Sequence, residues 1–197
     1  MRSVLPLLVL MVLPAALRAG IEIQDVSFSE LRSKSILMAV ELKAGRESGS
    51  RDKYISDIKV AVYASWGDRG QTDPASLKFY RSAAEIVAIE VNDTVTVPFI
   101  LSGAVADRDE LRKDPFGYYI EVQVGGEAVP FSPEFVSPSI RDNASAIRSI
   151  KQRAEGEDGK ANDGLFVPFY LATYGLENAS IRSLPFFRRS EIESIFE

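Results

Sequence analysis

The segment 118–131 constrains the fold most, because two runs of alternating apolar residues flank the pair Gly125-Gly126. Two-residue turns of types I′ and II′ need positive φ at one or both central positions, which glycine adopts without a steric penalty. The segment therefore predicts a β-hairpin, around which the rest of the chain must supply strands. The predicted pairs are Val124 with Glu127, Val122 with Val129, and Ile120 with Phe131.

Further segments repeat an apolar residue at every second position, as strands with one buried face do. They cover residues 35–43, 54–66, 86–91 and 95–101. The best candidate for a central strand is 54–66, whose apolar face carries Ile58, Val60, Val62, Ala64 and Trp66.

Three irregularities refine this strand pattern. The skipped step between Ile23 and Val26 predicts a bulge near the start of the fold. β-Branched Thr94 disfavours a tight hairpin, so the faces Val87-Ile89-Val91 and Val95-Val97-Phe99-Leu101 are expected in opposite sheets. Pro98 lacks an N–H and indicates an edge strand or a bulge.

The first nineteen residues have the pattern of a secretory signal peptide. Arg2 precedes an apolar run from Val4 to Leu17, and Leu17-Arg18-Ala19 resembles a cleavage site. The run is shorter than the roughly 20 apolar residues that a membrane-spanning helix needs. We expect cleavage after Ala19, which leaves a mature chain without a transmembrane segment, exported to the periplasm or outer surface of an outer-membraned bacterium.

Charge and composition exclude several classes of function. Without Arg2 and Arg18, 21 basic residues face 28 acidic ones, a formal charge of −7 that argues against nucleic acid as a partner. The chain has no histidine and no cysteine, which excludes Ser-His-Asp and Cys-His catalysis and removes the commonest zinc ligands. We expect no cofactor and no metal, and the remaining enzyme class is a carboxylate-based hydrolase.

Residues after 138 change character. Asn143 can cap a helix with an apolar stripe of Ala144, Ile147, Ile150 and Ala154. The charged, glycine-containing segment 155–164 is expected to be a mobile linker, because its match to a calcium-binding EF-hand loop fails at two positions. An apolar strand near 165–174 and an apolar tail follow.

These patterns predict an antiparallel immunoglobulin-like β-sandwich with a C-terminal helical extension, with a barrel as the alternative fold. The predicted division is a signal peptide at 1–19, the sandwich at 20–138 and the extension at 139–197.

Two groups of residues are candidate binding sites. The tail carries Phe186, Phe187, Ile192, Ile195 and Phe196, an apolar set that must be covered either by the chain's own sandwich or by a partner or second copy. Trp66, Tyr118 and Tyr119 are the alternative, as an aromatic surface for a carbohydrate or other ligand. Trp66 also fits a place in the core.

The sequence resembles the verrucomicrobial pilus-like protein family over about residues 20–135. The resemblance is carried by Phe79-Tyr80-Arg81, Val97-Pro-Phe-Ile-Leu-Ser-Gly103, and Arg108-Asp109 leading to Tyr118-Tyr-Ile-Glu121. It implies an immunoglobulin-like exported protein associated with type IV pilus-like gene clusters, without catalytic residues. Because Gly20 to Asp25 is polar and strand-like, an accessory role is expected, rather than that of a fibre subunit packed through an N-terminal helix.

The sequence thus predicts a non-enzymatic interaction or assembly module of the cell envelope. Its partners would be other envelope or pilus-like proteins, bound through strand edges, loops or the tail, and a homo-oligomer is one form of this hypothesis.

Overall fold

The alternating segments form two antiparallel sheets in the computed structural model, which describes residues 20–46, 51–67, 76–172 and 183–188. The predicted signal peptide lies outside these ranges. The strands are β1 (Ile21–Glu30), β2 (Ile36–Ala44), β3 (Tyr54–Trp66), β4 (Lys78–Glu90), β5 (Thr94–Leu101), β6 (Gly117–Val124), β7 (Glu127–Ala128), β8 (Phe166–Pro168) and β9 (Phe186–Arg188). The helices are α1 (Gly103–Arg108), α2 (Ala144–Glu155) and α3 (Glu157–Lys160), with 3-10 turns at Pro133–Phe135 and Phe169–Leu171.

The strand order confirms the predicted sandwich. One sheet has the order β1-β2-β5-β8 and the other β7-β6-β3-β4-β9. In immunoglobulin terms, β1, β2 and β5 correspond to strands A, B and E, and β7, β6, β3 and β4 to strands G, F, C and C′. Strands β8 and β9, which come from the C-terminal part of the chain, add one strand to the same side of each sheet.

The core between the sheets is filled by the period-two faces. Strand β3 lies between β4 and β6, as predicted for a central strand, and its apolar face is wholly buried. At the end of that face, Trp66 packs edge-on against Tyr80 and Phe166, with ring centroids 5.5 and 5.7 Å apart. Since Phe166 belongs to the opposite sheet, this aromatic cluster joins the two layers. The chain has no cysteine, so packing alone makes this connection.

Two of the three predicted irregularities are found in the strands. The edge strand or bulge predicted from Pro98 is not, because β5 lies between β2 and β8 and pairs with β2 without a register shift. The register of β1 against β2 shifts between Ile23 and Asp25, which confirms the bulge. Strands β4 and β5 lie in opposite sheets, as expected. The prediction that Val87 faces the core with Ile89 was wrong: Val87 is 43% exposed, and buried Ile86 takes its place. Asp57 has a φ of 53°, and the pairing of β3 with β4 skips it, which changes the face of the strand there.

The hairpin at Gly125-Gly126 forms, but it is shorter than predicted. Both glycines have positive φ, and Val124 pairs with Glu127 as expected. The Val129 N–H still donates to the Val122 carbonyl at 2.8 Å. Pro130 then ends the ladder, since it has no N–H to donate. Ile120 is buried, whereas Phe131 is 58% exposed, so this last predicted pair does not form.

Helix α2 packs on the outer face of the five-stranded sheet and makes a third layer. The Asn143 side chain accepts a hydrogen bond from the Ala146 N–H, which confirms the predicted cap. Ile150 and Ala154 are buried against Ala61, Tyr63 and other residues of the outer sheet face. Ile147, Ile150 and Ala154 of the predicted apolar stripe therefore cover the sheet, while Ala144 is exposed.

The segment 155–164, expected to be a mobile linker, contains helix α3 instead. Its buried Gly159 lies so close to α2 that a Cβ there would be 1.8 Å from the Ala154 carbonyl oxygen. The buried Asn162 amide donates to the Phe79 carbonyl at 3.0 Å, and Arg81 pairs with Asp163 at 2.8 Å. The polar composition of the segment does not reveal this packing. The contacts depend on the absence of a side chain at Gly159 and on hydrogen bonds made by Asn162 and Asp163.

A buried tyrosine fixes the loop after helix α1. Ser102 caps the helix, and its side chain accepts a hydrogen bond from the Val105 N–H. The Tyr80 hydroxyl donates to Asp109 at 2.6 Å, and Arg108 pairs with the same carboxylate at 2.5 Å. The hydrogen bond from Arg108, assisted by that from Tyr80, holds the pKa of Asp109 below its usual value.

We expect Tyr80→Phe to lower the free energy of unfolding by about 1.5–3 kcal/mol at pH 7, the usual contribution of a hydrogen bond to a charged group. Because the pKa of Asp109 is lower in the folded state, ionised Asp109 stabilises the fold at pH values above the unfolded carboxyl pKa of about 3.9. This stabilisation is lost as the pH falls through the folded-state pKa of Asp109. The destabilisation should therefore shrink towards acidic pH in urea titrations. The control is Tyr118→Phe, because the structure gives the Tyr118 hydroxyl no partner among the described residues. If Tyr80→Phe lowered the free energy of unfolding equally at all pH values, the hydrogen bond from Tyr80 to ionised Asp109 would be contradicted.

The division of the chain at residue 138 remains a prediction, and Ile150→Ala tests it. Removing this buried side chain should lower the free energy of unfolding by about 2–5 kcal/mol. The fluorescence of Trp66 in the sandwich core should report that loss if α2 and the sandwich unfold together. Arg148→Ala, on the exposed side of α2, should change stability by about 0.5 kcal/mol or less. An unchanged Trp66 transition in Ile150→Ala would show that the extension is a separate unit.

Candidate functional site

The edges of the two sheets differ greatly in length. Strands β7, β8 and β9 are edge strands of two or three residues, and Pro130 and Pro168 limit pairing beside two of them. Short edges and prolines are common protections against unwanted strand pairing. Strand β1, by contrast, is an edge strand of ten residues. The long edge of the sandwich is therefore at β1.

The register shows which peptide groups of β1 face outward. The Ala44 N–H donates to the Asp93 carbonyl, on the β5 side of β2. Because backbone groups alternate in direction along a strand, the even-numbered residues of β2 form their backbone hydrogen bonds with β5, and the odd-numbered residues form theirs with β1. The partners of those odd-numbered residues in β1 are Glu22, Asp25, Ser27 and Ser29. The alternate residues direct their N–H and C=O groups to the free edge, where no backbone hydrogen bond to another described residue forms. These residues are Ile21, Ile23, Val26, Phe28 and Glu30.

Two adjoining cavities follow this free edge and together form what we call the β1 groove. Their volumes are about 550 and 360 Å³, and they share Ile23, Gln24 and Glu134 in their lining. Strand β1 makes one wall. The other wall is the proline-containing segment that follows the hairpin, from Val129 to Arg141.

Aromatic side chains line both ends of the β1 groove. At one end Phe28 lies against Tyr118, with ring centroids 5.6 Å apart, and also against buried Trp66 at 6.4 Å. At the other end the exposed Phe131 packs edge-on against Phe135, with centroids 6.3 Å apart. The groove thus opens from the sandwich core and offers apolar surface at each end.

The charged groups of the β1 groove are mostly acidic. Glu22, Asp25, Asp114 and Glu134 line it, and Arg141 is the cation among its lining residues. Burial raises the pKa of Tyr118, the charge of Asp25 raises it further, and Arg141 opposes both. A hydrogen bond from Ser132 lowers the pKa of Glu134, and the charge of Arg141 acts in the same direction. Four carboxylates therefore face one guanidinium.

The structure does not bring the three predicted ligand-binding rings to one surface. Trp66 is fully buried and Tyr118 is largely buried, both facing the core of the sandwich. Tyr119 points to the opposite face, where it stacks on Tyr63 with centroids 6.0 Å apart. Of the three, Tyr118 reaches the β1 groove.

The described part of the predicted tail site lies on the chain's own sandwich. Strand β9 pairs with β4, and Phe187 stacks on Tyr170 with centroids 4.7 Å apart. Phe186 is 82% exposed. The other three candidates, Ile192, Ile195 and Phe196, lie outside the described residues.

Sequence reasoning missed the β1 groove, although two signals for it were visible. One was the broken alternation at the bulge, and the other was the run of prolines that ends the hairpin strand. The other wall, however, is an irregular segment, and periodicity gives no information about where such a segment lies. Among the described residues, the buried polar groups include no carboxylate, and no cluster of potential metal ligands occurs.

Comparisons with known proteins add a distant structural neighbour. No protein-family model and no curated protein matches the chain. Its fold is similar to that in a crystal structure of a protein from Akkermansia muciniphila, with a TM-score of 0.44 and 12% sequence identity. The match covers 56% of this chain and 66% of that protein, just under two thirds of its length. The neighbour comes from a verrucomicrobial genus, and the likeness carries no functional argument.

Helices α1 to α3 are all too short or too polar to cross a bilayer, and the described ranges contain no other candidate span.

The position of Trp66 can be checked in solution, because it is the chain's single tryptophan. Its burial predicts blue-shifted emission and no measurable quenching by iodide until denaturant unfolds the sandwich. Free indole in the same buffer gives the reference quenching. Efficient quenching of the folded protein would place the ring at the surface and restore the aromatic ligand site.

Proposed function

We propose that this protein is a non-enzymatic, exported protein-binding module that takes up an extended segment of another protein along β1. The segment would pair with the outward-facing N–H and C=O groups of Ile21, Ile23, Val26 and Phe28, and so add a strand to the four-stranded sheet. Strand addition gains affinity from main-chain hydrogen bonds and specificity from pockets for alternate side chains.

The observation that carries this proposal is the contrast between the edges. A sandwich that only had to avoid pairing would shorten or cover all of them, as β7, β8 and β9 do. Strand β1 keeps ten residues and a groove beside its free edge. Its bulge and charged residues restrict which strands can pair there, and this is compatible with selective binding.

Two features of the sequence support the proposed cellular setting. The signal-peptide pattern supports export to the periplasm or outer surface, and the resemblance to verrucomicrobial pilus-like proteins supports an accessory or assembly role beside a pilus-like envelope system. The partner would then be another envelope protein. The tail residues that lie outside the described part of the chain remain a second candidate surface for that partner.

The proposal is tested with Val26→Pro and its matched control Val26→Ala. Both variants lose the half-buried valine side chain, but only proline removes the outward-facing N–H, and edge strands tolerate proline at such positions. A displayed library of random twelve-residue peptides serves as the probe, panned on the full chain. We expect peptides whose binding survives Val26→Ala and falls at least tenfold in Val26→Pro.

Hydrogen exchange locates the bound peptide on the fold. The amides of Ile23, Val26 and Phe28 should gain protection when an enriched peptide binds, whereas those of β9 should not. Near-ultraviolet circular dichroism checks that both variants remain folded. Peptides that bind Val26→Pro and Val26→Ala equally well would overturn strand addition at β1.

A further inference from the structure

We infer that the segment bound in the β1 groove carries a lysine or arginine at its centre, with apolar side chains at the neighbouring positions, which point to the other face of the strand. This inference rests on the proposed strand addition and specifies the chemistry of the partner. It follows from the order in which charged and apolar groups occur along the groove.

The middle of the groove is acidic on both walls. Asp25 lies on β1 just after the bulge, Glu134 lies on the opposite wall, and both line the same cavity. Asp114 lines that cavity as well, and Glu22 lines the adjoining one. A strand inserted between the walls would place a side chain close to carboxylates from two directions. A cationic side chain gains from this arrangement, and an acidic one is repelled.

The two ends of the groove favour apolar side chains. Phe28 and Tyr118 form one end, and Phe131 with Phe135 the other. Alternate side chains of an extended strand point to the same side at about 6–7 Å intervals, since each residue rises about 3.3 Å. Asp25 lies on the exposed face of β1, whereas Phe28 and Tyr118 pack towards the core, so a strand with its cation near Asp25 directs the residues one and three positions away towards these aromatic surfaces.

Charge also argues against two other occupants. A second copy paired through β1 would bring Glu22, Asp25 and Glu30 against the same acidic strand, which is unfavourable for cross-strand neighbours. The C-terminal segment of another copy, residues 184–197, carries Arg188 and Arg189 but also Glu191, Glu193 and Glu197, and its formal charge of −1 gives it less attraction to the acidic groove than a cationic segment has. A cationic segment from a different protein satisfies the charges that both of these leave unpaired.

The test uses the same displayed library, followed by synthetic peptides made from the most enriched sequences. We expect enrichment of lysine or arginine between apolar residues at two-residue spacing. The double variant Asp25→Asn/Glu134→Gln should weaken binding about tenfold, and raising the salt concentration should reduce the difference from the native chain. The control Glu90→Gln/Glu157→Gln removes two exposed carboxylates elsewhere and should bind as the native chain does.

The outcomes separate the two proposals. Peptides that depend on the Val26 N–H but are neutral or acidic, or that ignore the Asp25/Glu134 changes, would overturn the cationic motif and leave strand addition intact. A dimer of the native chain that Val26→Pro dissociates would show a second copy as the occupant, which also overturns this inference. If every peptide binds Val26→Pro and Val26→Ala equally, strand addition at β1 fails, and the motif fails with it.

Discussion

Strand β3 is buried on both faces, and the arrangement of the other elements depends on this double burial. Its inner face, from Ile58 to Trp66, packs against the four-stranded sheet, while Ala61 and Tyr63 on the outer face lie under helix α2. Ser65, between them and the strand end, is buried as well and donates to the Gly117 carbonyl at 3.3 Å. Because the chain itself covers both faces of β3 from Val60 to Trp66, this central strand offers no free face to other proteins, and the sheet edges and loops remain accessible.

The contacts between α2 and the five-stranded sheet include charged groups as well as apolar side chains. Lys151 pairs with Glu121 at 2.5 Å and lies over the Tyr63 ring, while Arg153 lies over the Phe79 ring at 4.1 Å. Burial and the nearby Glu121 raise the pKa of Tyr63, so its hydroxyl stays neutral in this layer. These contacts add polar and cation–π interactions to the apolar packing between the helix and the sheet.

The features that periodicity encodes could be predicted from the sequence. The central strand, the two-residue turn at Gly125-Gly126, the bulge after Ile23 and the cap at Asn143 all depend on local residue patterns. The third layer could not be predicted, because Ala61 and Tyr63 are equally typical of a solvent-facing side of a strand. Helix α3 was missed because its packing requires the absence of a side chain at Gly159. The groove was missed because an irregular segment supplies half of it.

The tail strand β9 has a consequence for how many partners the sandwich can hold. Its three residues cover part of β4, a strand of thirteen residues that would otherwise be a second long edge. A sandwich with one open edge can end a chain of strand-paired subunits or accept a single segment. A sandwich with two open edges can be a link in a polymer. Under the proposed strand addition, the short return of the C-terminal chain to β4 therefore favours β1 over β4 as the edge that takes up a partner segment.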